Sequence, residues 1–158
     1  MNLMLQTSYM KLALGLAELA MSKGEVPVGA IIIHKDTGEI LSKAHNQVES
    51  DMSPIHHAEI LALQRASQQI QTKYLYDYDM YVTLEPCILC ASAISMFRVG
   101  RLYFGALDPK LGAVESVAKF FTSQNCFHKP EIYSGINSLD ASLLLKEFFA
   151  NIRASKKT

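Results

Sequence analysis

The sequence predicts an α/β fold in which helices cover both faces of a mixed sheet that begins with a hairpin. Three observations carry that reading. Val28 to His34 is a β-branched run, followed by the turn Lys35-Asp36-Thr37-Gly38 and a second extended stretch near Glu39 to Ala44, which together read as a hairpin. Asp79 to Leu84, Cys87 to Phe97 and Arg101 to Gly105 read as strand, helix and strand, the natural form of a parallel crossover. Helical stretches stand before, between and after these segments.

The first is Tyr9 to Ser22, with Leu12, Leu16, Leu19 and Ala20 on one stripe and Gly24 placed to stop it. His57 to Gln69 reads as a second helix that turns Ile60, Leu61 and Leu63 to the core. Asp108 to Gly112 is a loop. A weaker helical patch near Ser116 to Phe121 follows, then a strand around Ile132-Tyr133 and a final helix from about Leu139 to Arg153. No repeat, low-complexity tract or linker divides the chain, so residues 1–158 are expected to form a single domain.

Composition narrows the function classes. A chain of 158 residues can bury a real core, and 49 % hydrophobic with 19 % charged residues excludes disorder. Apolar runs such as Val28 to Ile33 are too short to span a membrane. The apolar N-terminus lacks a leading basic stretch, and Lys11 and Glu18 interrupt any signal core, so a mature, soluble, cytoplasmic protein is expected. Three cysteines in such a chain argue for metal or thiol chemistry, not a disulfide framework.

The formal net charge is zero, but it is unevenly spread. Residues 1–97 hold six Lys/Arg and ten Asp/Glu, whereas residues 98–158 hold nine and five. The chain ends in Arg153, Lys156 and Lys157, with no acid among its last eleven residues. That end reads either as a basic face for nucleic acid or as a solvated helix end whose cations complement its dipole.

Two short segments carry chemistry: His57-Ala58-Glu59 and Pro86-Cys87-Ile88-Leu89-Cys90. Cys87 and Cys90 are three residues apart at a helix start, so both sulfurs can reach one metal. The free N–H groups of that helix end favour thiolates, and Pro86 has no N–H to leave unpaired there. His57 as third ligand makes a His/Cys/Cys site. Three protein ligands leave a fourth tetrahedral position for water, the mark of catalytic zinc. Glu59 is then placed to take a proton from water and deliver it to a substrate. His57 and Glu59 converge only if His57 sits at the irregular entry of its helix, which Pro54 favours.

His-x-Glu followed by Pro-Cys-x-x-Cys is the signature of the zinc deaminases that act on nucleobases. The chain resembles the bacterial tRNA-specific adenosine deaminases from about Tyr9 to Arg153. Beyond the zinc motifs the resemblance rests on Glu25-Val26-Pro27-Val28-Gly29-Ala30, Asn46, Tyr81-Val82-Thr83-Leu84-Glu85-Pro86-Cys87, Gly100-Arg101, Phe104-Gly105-Ala106, Asp108, Lys110, Gly112-Ala113 and Phe148-Phe149. It implies a three-layer α/β/α cytidine-deaminase-like fold with a five-stranded mixed sheet, a homodimer, and conversion of adenosine to inosine at the wobble position of a tRNA anticodon arm. It also implies Zn2+ as the cofactor, with no organic cofactor, held by His57, Cys87 and Cys90, and Glu59 as the proton shuttle. Asn46 is implied as a hydrogen-bonding contact to the base, with Val28, Ala58, Asp108, Lys110, Phe149 and Arg153 as further substrate contacts.

The chain departs from the family at His56, at Asn125-Cys126-Phe127-His128 and at Ala150 and Ile152. His56 is expected to face solvent and Cys126 to be a small buried hydrophobe. Of Phe97, Phe104, Phe120, Phe121, Phe148 and Phe149, all but one of the last pair are expected in the core. Two rival readings remain at this point. A free-base or nucleoside deaminase of guanine or cytosine type would have no use for the basic C-terminal third. A zinc-stabilised RNA-binding module would need a fourth protein ligand from Cys126 or His56.

Overall fold

The structure, a computed structural model, describes residues 2–157. In chain order it contains α1 (Leu3–Ser22), β1 (Gly29–His34), β2 (Ile40–His45), α2 (Ala58–Ile70), β3 (Tyr78–Leu84), α3 (Ile88–Met96), β4 (Arg101–Ala106), a single 3-10 turn (Phe120–Thr122), β5 (Glu131–Tyr133) and α4 (Ser138–Ser155). The strands form one five-stranded sheet in the order β2-β1-β3-β4-β5. β1 runs antiparallel to both β2 and β3, while β3, β4 and β5 are mutually parallel, so the sheet is mixed as the sequence leads one to expect.

Alternation along the strands builds two cores. Ala30 and Ile32 of β1, Met80 and Val82 of β3, and Leu102 and Phe104 of β4 pack with α2 and α3 on one face. Ile31, Ile33, Tyr81 and Tyr103 pack with α1 and α4 on the other. The result is three layers, α/β/α. Among the described residues no helix is long and apolar enough to cross a membrane.

Two sequence expectations need correction. α1 starts at Leu3, not near Tyr9, because Asn2 caps it with a side-chain oxygen that accepts the Met4 N–H at 3.1 Å. Its buried stripe is Met10, Ala13, Leu14, Ala17 and Ala20, while Leu12 and Leu19 of the expected stripe are exposed. The cause is close approach: a Cβ at Gly29 would strike the backbone of Ala13 and Ala17. A helix lying that near the sheet must turn small residues inward. The expected helical patch at 116–121 is instead a set of turns ending in the short 3-10 segment. There the Val117 and Ala118 amides reach back to Gly112 and the Phe120 amide to Ala113, spans longer than a helical hydrogen bond. Gly24 does end α1, in a left-handed conformation (φ 75°), with the Glu25 amide reaching back to the Ala20 carbonyl.

Candidate active site

His57 and Cys87 occupy equivalent places in the fold. Each is the N-cap of its helix, His57 of α2 and Cys87 of α3, with extended backbone (φ −70°, ψ 152° and φ −72°, ψ 176°). Neither uses its side chain as a cap, so ring and thiol are left for other partners. This settles how His57 and Glu59 converge: His57 lies outside the helix, and Glu59 is in the first turn, buried at 4 % exposure. Pro86 precedes the N-cap and is not the first helical residue. Its carbonyl accepts the Ala113 amide at 2.8 Å.

The ligand atoms of His57, Cys87 and Cys90 all lie within 4.8 Å of one another. His57 Nδ1 is 3.6 Å from Cys87 Sγ and 3.4 Å from Cys90 Sγ. Tetrahedral zinc, with bonds of about 2.3 Å to sulfur and 2.0–2.1 Å to nitrogen, needs N···S edges of about 3.6 Å. The residues therefore fit zinc in both donor chemistry and spacing. Neither Cys126 nor His56 belongs to this group among the described residues, so the fourth protein ligand that a purely structural site requires is not there. Hydrogen bonding from Cys90, and then from His57, holds the Cys87 thiol well below its ordinary value, while the same hydrogen bond together with burial pushes the Cys90 thiol up. Burial pushes the Glu59 carboxyl up to about 7, where it can exchange protons near neutrality.

Asn46, at the end of β2, is 8 % exposed, and its Oδ1 accepts the Ala58 N–H at 2.9 Å. Its own amide donates to the Val28 carbonyl at 3.1 Å. Val28, Asn46 and Ala58 thus come together beside the ligand cluster, and Asn46 has its oxygen committed to the α2 N-terminus. Asp108 and Lys110 lie on the loop that follows β4, which touches the cluster's own segment through a bridge between Gly112 and Cys87. Phe149 and Arg153 are not brought to the cluster. They lie on α4, which packs with α1 on the opposite face of the sheet, where Phe148 is buried and Phe149 is exposed at 43 %.

The departures resolve locally. His56 is half-buried and its Nδ1 lies 2.7 Å from Asp51 Oδ2, so it is paired and does not simply face solvent. Cys126 is only partly buried, with its thiol donating to the His128 carbonyl at 3.1 Å. One residue with a clear structural job, Glu85, drew attention in the sequence only as part of a matching stretch. A lone acid at the end of an apolar strand was the signal, because a buried carboxylate demands donors.

Residues 4–106 match the family model of the cytidine and deoxycytidylate deaminase zinc-binding region. The chain is 52 % identical over 144 residues to the tRNA-specific adenosine deaminase of Rickettsia bellii, covering 91 % of this chain and 99 % of that protein. Among solved structures it is similar to one from a study of A-to-I editing by tRNA:A34 deaminases, with a TM-score of 0.85, 40 % identity, and coverage of 88 % of this chain and 99 % of that one. It shares its fold with a guanine deaminase of Nitrosomonas europaea, with a TM-score of 0.76 and 21 % identity over 91 % of this chain and 84 % of that one.

Proposed function

Since the chain belongs to the tRNA-specific adenosine deaminases, within the cytidine and deoxycytidylate deaminase zinc-binding family, we infer that it converts adenosine to inosine at the wobble position of a tRNA anticodon. The observation that carries this is the His57/Cys87/Cys90 cluster with the buried Glu59 carboxyl, pushed up to about 7, beside it. His57, Cys87 and Cys90 would hold zinc, which when bound would supply the Lewis acidity that makes water a stronger acid near neutral pH.

The chain's own residues do the rest. Glu59 takes a proton from the attacking water and delivers one to adenine N1. With the water oxygen now bonded to C6, Glu59 takes the remaining proton from that C6 hydroxyl and passes it to the exocyclic nitrogen. The C6–N bond breaks as the C6=O bond forms, so that ammonia leaves and Glu59 returns to its starting state. The Asn46 oxygen accepts the Ala58 N–H, which fixes the orientation of the amide, and the Asn46 NH2 donates to a purine acceptor. Val28 and Ala58 wall the base. Asp108 and Lys110 meet the RNA beside the pocket. Phe149 and Arg153 meet it from α4, where the basic C-terminal end supplies phosphate contacts. An anticodon loop is a fitting substrate, since its splayed bases enter a pocket at low unstacking cost. We read residues 1–158 as one domain that works as a cytoplasmic homodimer.

The test is incubation with total tRNA, with an anticodon stem-loop carrying adenosine at the wobble position, and with free adenosine and guanine. Inosine is expected in the RNA substrates alone. Equal turnover of free adenosine, or turnover of guanine only, overturns the reading in favour of a small-molecule deaminase.

A further inference from the structure

We propose that Glu85 is a positioning residue for the RNA substrate: its carboxylate clamps the 108–116 loop to the segment that delivers Cys87, and so sets where Asp108 and Lys110 meet the anticodon. The inference rests on reading Asp108 and Lys110 as RNA contacts. Glu85 stands between the end of β3 and Pro86-Cys87 and is 2 % exposed. One of its oxygens, Oε1, accepts three successive amides, Val114, Glu115 and Ser116, at 3.1, 2.7 and 2.9 Å. The other, Oε2, accepts the Asp108 amide at 2.9 Å and the Ser116 hydroxyl. The carboxylate therefore holds both ends of the loop at once.

The middle of the loop is also held, by the Gly112–Cys87 bridge, by the Ala113 amide on the Pro86 carbonyl and by burial of Ala113 and Val114, whereas Glu85 ties its two ends together. No helix or strand occurs between Ala106 and Phe120 among the described residues. Its tip is organised only locally, by Asp108 Oδ1 accepting the Lys110 and Leu111 amides at 3.0 and 3.1 Å, and Lys110 is exposed there. Gly112 is the complementary half of the clamp, since a Cβ at that position would collide with the Glu85 carboxylate. Without the carboxylate, four amides and a hydroxyl lose their acceptor and the loop becomes an ensemble. The apparent affinity for RNA then falls by the fraction of loops in the competent shape. The zinc ligands and Glu59 are untouched, so chemistry at saturation is preserved.

The experiment uses the full-length, zinc-loaded enzyme and the anticodon stem-loop. Glu85→Ala is expected to raise KM by about tenfold or more while kcat stays within about threefold of the parent. Bound zinc should be unchanged and amide exchange at 114–116 faster. Glu85→Gln keeps the oxygen that serves three amides but sets an NH2 against the Asp108 N–H, so it should fall between Ala and the parent. It also carries the test if the Ala variant does not fold. Lys110→Ala should cost less in the Glu85→Ala or Glu85→Gln background than in the parent, which a merely structural role would not produce. A parent-like KM in both Glu85 variants, a fall confined to kcat or zinc content, or an equal cost of Lys110→Ala in every background overturns the proposal. A parent whose KM ignores both Lys110→Ala and Asp108→Ala overturns the underlying reading of the loop, and is distinguishable because it involves no Glu85 variant.

Discussion

Glu59 and Glu85 are the same residue type at nearly the same burial, 4 % and 2 % exposed, yet they sit in opposite electrostatic environments. Burial raises both carboxyls, because a low dielectric disfavours charge. At Glu59 burial wins and the group is pushed up to about 7. At Glu85 the Ser116 hydroxyl and the amides of Asp108, Glu115 and Ser116 outweigh burial and hold it below the ordinary range. The lesson is that burial does not decide whether an acid carries protons or anchors structure. The number of donors aimed at it does. A carboxylate with five donors is locked as an anion, whereas one with few is free to change state.

The largest effect is expected where the metal that Glu59 serves is taken away. Cys90→Ala or His57→Ala should lower zinc from about one per chain to near none and abolish turnover, measured by metal analysis and inosine formation. His56→Ala, which removes a hydrogen-bonding contact with Asp51, should leave both intact. Next comes the proton carrier itself. In the role we propose for it, Glu59→Ala should reduce turnover by roughly 10²–10⁴-fold with zinc retained, because Glu59 is not one of the metal-binding group. Loss of zinc in that variant would contradict this division of labour.

The comparison sharpens when stability is measured instead of rate. Glu85→Ala strands buried donors and should cost on the order of 3 kcal/mol in denaturant unfolding, whereas Glu59→Ala removes a poorly partnered buried acid and should cost far less. Equal losses would mean that donor number is not what separates the two sites.

Glu25 offers a milder third case. It is 1 % exposed and accepts the Ser50 amide at 2.7 Å, the Ser50 hydroxyl at 2.8 Å and the Glu49 amide at 3.2 Å, which tie down the loop leading to His57. Burial opposes its ionisation, but these bonds hold its carboxyl below the ordinary 4.5. Because the folded value lies below the unfolded one, its contribution is fully present above pH 4.5 and is lost as pH falls through the lower folded value. Glu25→Gln should therefore flatten the acid limb of stability below pH 4.5 while lowering stability at neutral pH. An unchanged acid limb would show that Glu25 titrates alike in both states. The smallest effect lies farthest from both glutamates. Neutralising Arg153, Lys156 and Lys157 together should raise KM modestly and reduce the salt slope of tRNA binding without changing kcat.

Much of the site was legible in the sequence because it is locally encoded. His57-Ala58-Glu59 and Pro86-Cys87-x-x-Cys90 are short segments whose helix entries follow from neighbouring residues, and the structure places three of these side chains within 4.8 Å of each other. The hairpin and the crossover were legible for the same reason, since turn chemistry and β-branched runs act over a few residues. The Glu85 clamp was not. Its donors lie 23 to 31 positions away, and nothing local in Val114-Glu115-Ser116 shows that their amides will meet one oxygen. The phase of α1 was likewise hidden, because leucines signal an apolar face but not how near the sheet will come.

The sequence by itself therefore determined which side chains come together as a group able to hold a metal, which acid lies in the first turn beside them, and the alternation of strands and helices that carries them. Spacing of three residues and helix-entry geometry are properties of the local chain. Only the tertiary structure decided which face each element shows and which buried acid is charged. α4 with Phe149 and Arg153 falls on the side of the sheet away from the cluster, and Glu85 meets its five donors, through contacts between residues far apart in the chain. Burial and donor number are properties of the packed neighbourhood, and no stretch of sequence contains its own neighbourhood.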